Sequence, residues 1–186
     1  MIIPKDLNEG DFFGVPAGEP MRTLCKVIFA PDTEFFHYGL IKSKREDGDF
    51  EILESLGTYG LRIGLLSWYS GKELGFFRVN CPEELRKEAP QSLVKFGRSR
   101  YDYFLFAKLI VSILNAFINQ IKNKTFPHKL FANDISKSYV WDKSLICTEA
   151  VYIAYSSVGV NIIPYGIVPI PSAYKEAENE KLIYRI

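Results

Sequence analysis

The chain predicts an α+β domain built on an antiparallel sheet, and three observations point to it. Short aromatic and β-branched runs separated by turn residues fill the first half, whereas the second half carries apolar residues at three- and four-residue spacing. No repeat or long linker divides the two, and 186 residues suit one domain, 1–186, with its own core. Strands first and helices after favour an antiparallel sheet over alternating βαβ units.

Taken in order, GVPAGEP (Gly14 to Pro20) reads as a loop. TLCKVIF, EFFHYGLIK, DFEILESLG, a stretch from Leu61 to Ser67, and GFFRV then read as strands. CPEELRKEA opens a helix with Pro82 in the first helical position. Apolar periodicity predicts further helices over Asp102 to Lys122 and Cys147 to Val158. KEAENEK (Lys175 to Lys181) reads as a solvated polar segment before a last strand-like LIYRI.

Composition excludes several classes of function. With 23 basic and 22 acidic residues the net charge is +1, so no strong field marks a nucleic-acid or membrane-surface binder. Cys25, Cys81 and Cys147 lie far apart and are odd in number, which suggests neither a disulfide framework nor a zinc site. GLRIG and GKELG lack the context of a phosphate loop, so no metal, nucleotide or other cofactor is expected. The start, MIIPKDLNEGDFF, has no basic region followed by an apolar one, and a reducing, cytoplasmic setting is the expectation. The most apolar stretch, Tyr103 to Ile118, is short for a membrane span and carries Lys108, Ser112 and Asn115. It reads as a buried core helix, with a lipid-facing or oligomer role left open.

Two polar side chains fall together in the first hairpin. Pairing EFFHYGLIK with DFEILESLG through a four-residue turn, Lys44 to Asp47, sets Ile41 opposite Phe50, Gly39 opposite Ile52, and His37 opposite Glu54 on one face. A carboxylate and an imidazole on an otherwise apolar face are costly unless they pair. Once paired they can be a satisfied core histidine, or an oriented general base.

KSLICTEAVYIAY places Cys147 in the first turn of a helix, with Ser144 as the candidate N-cap. Exposed backbone N–H groups and the positive end of the helix dipole favour a thiolate there. Cys147 also shares a stripe with Ala150, Val151, Ala154 and Val158, the face expected to pack on the sheet that carries His37. A packed cysteine remains the alternative. Cys81 opens a helix too, but Glu83, Glu84 and Glu88 surround it, and Cys25 reads as strand packing. Cys147, His37 and Glu54 supply the nucleophile, base and orienting group that thiol catalysis needs. Arg78 reads as a carboxylate binder or an ion pair, His128 as a loop histidine.

These residues resemble the circularly permuted branch of the papain-like NlpC-type cysteine peptidases, the YiiX/YaeF-like group, which place the histidine strand before the cysteine helix. EGDFF (Glu9 to Phe13) is similar to the family's Gly-Asp strand entry, FHYGLI to its histidine strand, ILES to its glutamate strand, SRYDYF to its Tyr-Asp motif, and CTEAVYIAY to its cysteine helix. IIPYGIVPIPSAY resembles the proline-containing segment that follows, so the likeness runs from about Gly10 to Tyr174. The resemblance implies a papain-like sheet or partial barrel packed against helices, with Cys147 as nucleophile, His37 as base and Glu54 as its partner. It implies Glu149 as support for the helix start, and Tyr101 and Asp102 near a substrate cleft. Implied substrates are small peptides or amides, cell-wall fragments included. The alternatives are thiol-dependent acyl transfer or deacylation on lipid or lipoyl substrates, as in lecithin retinol acyltransferase, and a binding module without turnover.

Overall fold

Six strands among the described residues hydrogen-bond into one sheet: β1 (Phe12–Val15), β2 (His37–Lys44), β3 (Phe50–Leu56), β4 (Gly60–Leu65), β5 (Gly75–Val79) and β6 (Ile183–Arg185). Their order is β4-β3-β2-β1-β5-β6, and each neighbouring pair is antiparallel. Among the described residues three helices can be followed from end to end: α1 (Glu83–Val94), α2 (Cys147–Ser156) and α3 (Pro171–Asn179). The structure is a computed structural model that describes residues 2–18, 34–57, 59–97, 146–164 and 171–186, with the single positions 100, 111, 118, 122 and 169. The strand expected over TLCKVIF and nearly all of the helix expected over Asp102 to Lys122 lie outside the described residues. No helix among the described residues is long and apolar enough to cross a membrane.

Alternation along the strands sorts side chains to two faces. Phe12, Tyr38, Leu40, Leu53 and Phe77 meet the helices, joining Ala89 and Leu93 of α1, Ala150, Val151 and Ala154 of α2, and Tyr174 and Ala177 of α3 in the larger core. The other face carries Phe13, Val15, Ile41, Ile52 and Phe76. Leu7 and a short 3-10 turn, Leu66–Tyr69, close it. His37 and Glu54 belong to this second face, away from the helices.

Several expectations need correction. FFGV forms a strand, so the loop expected from Gly14 begins at Pro16. β1 lies between β2 and β5 with Phe12 and Phe13 both fully buried, and a short strand covered on both faces shows no alternation to read. Pro82 precedes α1 instead of starting it. The proline-containing and polar segments near the C-terminus hold α3, whose Ala173, Tyr174 and Ala177 turn inward. In the first hairpin Glu54 lies opposite Gly39 and Ile52 opposite Ile41, two residues from the expected register. A bulge between Ile41 and Ser43 and a longer turn, in which Arg45 N–H donates to the Asp49 carbonyl at 2.8 Å, account for the slip.

Two close approaches depend on glycine. Gly14 and Gly75 pair across β1 and β5, and a Cβ on either would lie within 3 Å of the Phe35 ring that rests on them. Pro90, inside α1, has no N–H to give the Arg86 carbonyl. Gly10, at φ +87°, packs against that carbonyl so closely that a Cβ would sit 2.1 Å from its oxygen. Next to it Asp11, fully buried, takes a two-pronged pair from Arg78, Nε to Oδ1 and Nη2 to Oδ2 at 2.8 Å each. Arg78 also pairs with Asp6, so the ion-pair reading of Arg78 is the one realised. The EGDFF motif therefore ties the sheet to α1.

Replacing Asp11 by Ala leaves Arg78 without its main partner and should cost about 3 kcal/mol in urea unfolding. Cys147 alkylation should remain intact at temperatures where the variant is still folded.

Candidate active site

The site forms at one end of the sheet, where β2 begins and α2 begins. His37 is the first residue of β2, opposite Val15 at the end of β1. Because Glu54 sits opposite Gly39, the two side chains meet along a cross-strand diagonal, within reach of long side chains. His37 Nε2 lies 2.8 Å from Glu54 Oε2. Gly39, opposite Glu54, makes room for the Phe13 ring, which a Cβ there would strike at 2.5 Å.

Glu54 has no solvent exposure, and every direction around its carboxylate is used. Oε1 accepts from Arg62 Nε at 3.0 Å and Nη2 at 2.8 Å, with Arg62 directly opposite on β4. Oε2 is shared by His37 Nε2 and the hydroxyl of Tyr69. That hydroxyl also lies 3.1 Å from His37 Nε2, and the two rings stack at 6.2 Å between centroids. Burial alone would raise Glu54, but bonds from His37, Tyr69 and Arg62 overcome it and hold the carboxyl below its ordinary value.

Cys147 opens α2 at the half-buried sheet end, and its thiol donates to the Phe36 carbonyl at 3.7 Å. Ile146 is the flanking residue, and its N–H donates to Glu149 Oε2 at 2.8 Å, so Glu149 caps its own helix. The first helical bond runs from Ala150 N–H to the Ile146 carbonyl, which leaves the earlier N–H groups without acceptors inside the helix. Cys147 is near enough to the His37 ring to act on its proton affinity. Glu54 and Tyr69 both meet the ring at Nε2. Burial would lower His37, but bonds to Cys147 and Glu54 and their charges raise it to about 9.

The route by which these groups meet differs from the sequence expectation. The inner stripe of α2 packs on Tyr38, Leu40 and Leu53, opposite to the face that carries His37 and Glu54. Cys147 comes to the start of β2, where its thiol meets the carbonyl of Phe36, the residue before His37. Cys81 stays half-buried, and burial raises its thiol. Tyr101, Asp102, Cys25, His128 and Ser144 lie outside the described residues. Sequence reasoning missed Arg62 and Tyr69. Arg62 was within reach, since registering the β3–β4 hairpin sets it opposite Glu54. Tyr69 arrives on a 3-10 turn that carries no periodic signal.

Comparison with known proteins adds a likeness of fold. No family model matches the chain, and no curated protein matches it by sequence. Among solved structures, the metalloprotein YiiX of Escherichia coli O157:H7 superposes with a TM-score of 0.59 at 13% identity, covering 96% of each chain. The chain thus has a YiiX-like α+β fold. Among the described residues no group of three or more His, Cys, Asp and Glu side chains is placed to hold a metal ion. The two fully buried carboxylates do not fit that role: Arg62, Tyr69 and His37 fill Glu54, and Arg78 and the Asn8 N–H fill Asp11.

A raised histidine stabilises the fold while protonated, so its contribution is complete below its ordinary value of 6.5 and lost as pH climbs through about 9. Urea unfolding should show wild type losing on the order of 2 kcal/mol over that window. His37→Ala should lack this loss, and parallel curves for the two proteins would contradict it.

Proposed function

We propose that this chain is a papain-like, circularly permuted cysteine amidase or peptidase, with Cys147 as nucleophile, His37 as general base and acid, and Glu54 as its orienting partner. One observation carries the reading: a single imidazole is hydrogen-bonded through Nε2 to a buried carboxylate, and a helix-start cysteine is near enough to raise its basicity. That is the arrangement that activated thiols require. The YiiX-like fold and the order histidine, glutamate, cysteine along the chain are consistent with it.

In this mechanism the Cys147 proton resides on His37 Nδ1, and sulfur attacks the amide carbonyl carbon. As the C–S bond forms, the carbonyl electrons move to oxygen, where the Cys147 N–H at the open end of α2 stabilises them. Nδ1–H then passes its proton to the departing amine as the C–N bond breaks. Water enters, loses a proton to Nδ1 and attacks the acyl carbon. The C–S bond breaks, the acid leaves, and the thiolate beside a protonated Nδ1 is restored. Glu54 keeps Nε2–H in place throughout and stays ionised. Tyr101 and Asp102 are assigned to the substrate cleft by resemblance, as are cell-wall peptides to the substrate class.

Wild type and Cys147→Ala should be incubated with cell-wall peptides and with acylated amines, and products identified by mass. Wild type alone should release acid and amine and carry a transient acyl adduct on Cys147. His37→Ala should turn over at least about 100-fold more slowly. Identical products from wild type and Cys147→Ala would overturn the proposal.

A further inference from the structure

We infer that Arg62 and Tyr69 are positioning residues. Together they clamp Glu54 as an ionised, non-rotating acceptor, and this fixes the His37 ring with its Nε2 proton on Glu54 and Nδ1 toward Cys147. The inference gives the cysteine-hydrolase reading a supporting apparatus, and its test is independent of turnover.

The geometry is specific on both sides of the carboxylate. Arg62 meets Oε1 alone, through two nitrogens, so Oε2 is free for His37 and Tyr69. Rotating the carboxylate would break all four contacts at once. Rotating the imidazole would break the Nε2 bond and the stack with Tyr69. Arg62 is itself immobilised: its guanidinium carbon lies 4.9 Å from the ring centroids of both Tyr59 and Trp68. Gly64 keeps the space open, because a Cβ there would come within 2.9 Å of Trp68 and 3.3 Å of Glu54 Oε1. Five residues on β4, the turn before it and the 3-10 turn are therefore committed to one carboxylate.

The clamp also acts electrostatically on His37. Its facing groups are Glu54 from β3, the Tyr69 hydroxyl from the 3-10 turn and Cys147 from α2, while β1 presents only Val15 opposite it. Arg62 acts through Glu54, and Lys72 lies 5.5 Å from the Tyr69 ring centroid. Arg62 and Tyr69 both donate to Glu54 and so compete with His37 for its charge. Removing either donor strengthens the hold of Glu54 on imidazolium. Merely loosening the site would instead admit water and move His37 toward an ordinary histidine. The two accounts predict opposite signs.

The chain has two histidines, so His37 can be followed by ring nitrogen NMR, with His37→Ala for assignment. The titration belongs in a Cys147→Ala background, where no thiol couples to the ring and failure of the nucleophile reading has no bearing. Tyr69→Phe, which keeps the stacked ring, and Arg62→Gln should each raise the midpoint, Arg62→Gln by about one pH unit. Glu54→Gln should lower it, and Arg62→Lys should restore most of the wild-type midpoint. In wild type the Nε2–H tautomer should dominate the neutral ring, and in Glu54→Gln the preference should weaken. A midpoint unchanged or lowered in folded Tyr69→Phe overturns the inference, and this variant alone decides it if Arg62→Gln does not fold.

Discussion

Everything around the candidate site follows from placing one carboxylate, Glu54, beyond the reach of water. An isolated charge in such a place is not tolerated, so the fold must bring donors to it from several directions. It does so from the two flanking strands and one tight turn: His37 from β2, Arg62 from β4, and Tyr69 from the residues just after β4. The strand pairings on either side of β3 are thus coupled through a polar contact as well as through the ladder. His37 inherits its orientation from this arrangement and does not create it.

A second buried carboxylate, Asp11, plays a different part. It is equally enclosed, but its partner Arg78 and the neighbouring Gly10–Arg86 contact join β1 to β5 and α1, away from Cys147. The contrast shows how one chemical device serves two ends. Where the donors include an imidazole beside a thiol, the charge is the one the proposed chemistry draws on; where a guanidinium and a backbone N–H saturate it, the charge is a fastening.

What could be read from the chain depended on the period of the signal. His37 and Glu54 share a face under the expected register and under the observed one because the two differ by two residues, and an even slip preserves side-chain direction. A slip of one would have sent them to opposite sides. The bulge near Lys42 that sets the offset leaves no mark in hydrophobic patterning. β1 was illegible because both of its faces are buried, whereas α3 was legible in its inward Ala173, Tyr174 and Ala177 but was masked by the surrounding prolines and charges. The stripe on α2 named the packed face of that helix correctly, yet it could not tell which side of the sheet would receive it. The meeting of Cys147 and His37 is a property of where two elements start, and starts are the least patterned parts of a sequence.

The packing of Arg62 against both Tyr59 and Trp68 has an optical consequence. Trp68 is half exposed at the sheet edge, and its indole lies against the cation that serves Glu54. Indole emission responds to a nearby charge, so the ring registers any disturbance that travels from the imidazole through the carboxylate to the guanidinium. The protein carries, in effect, an intrinsic fluorophore wired to a buried carboxylate, and occupancy of the site can be watched without a label.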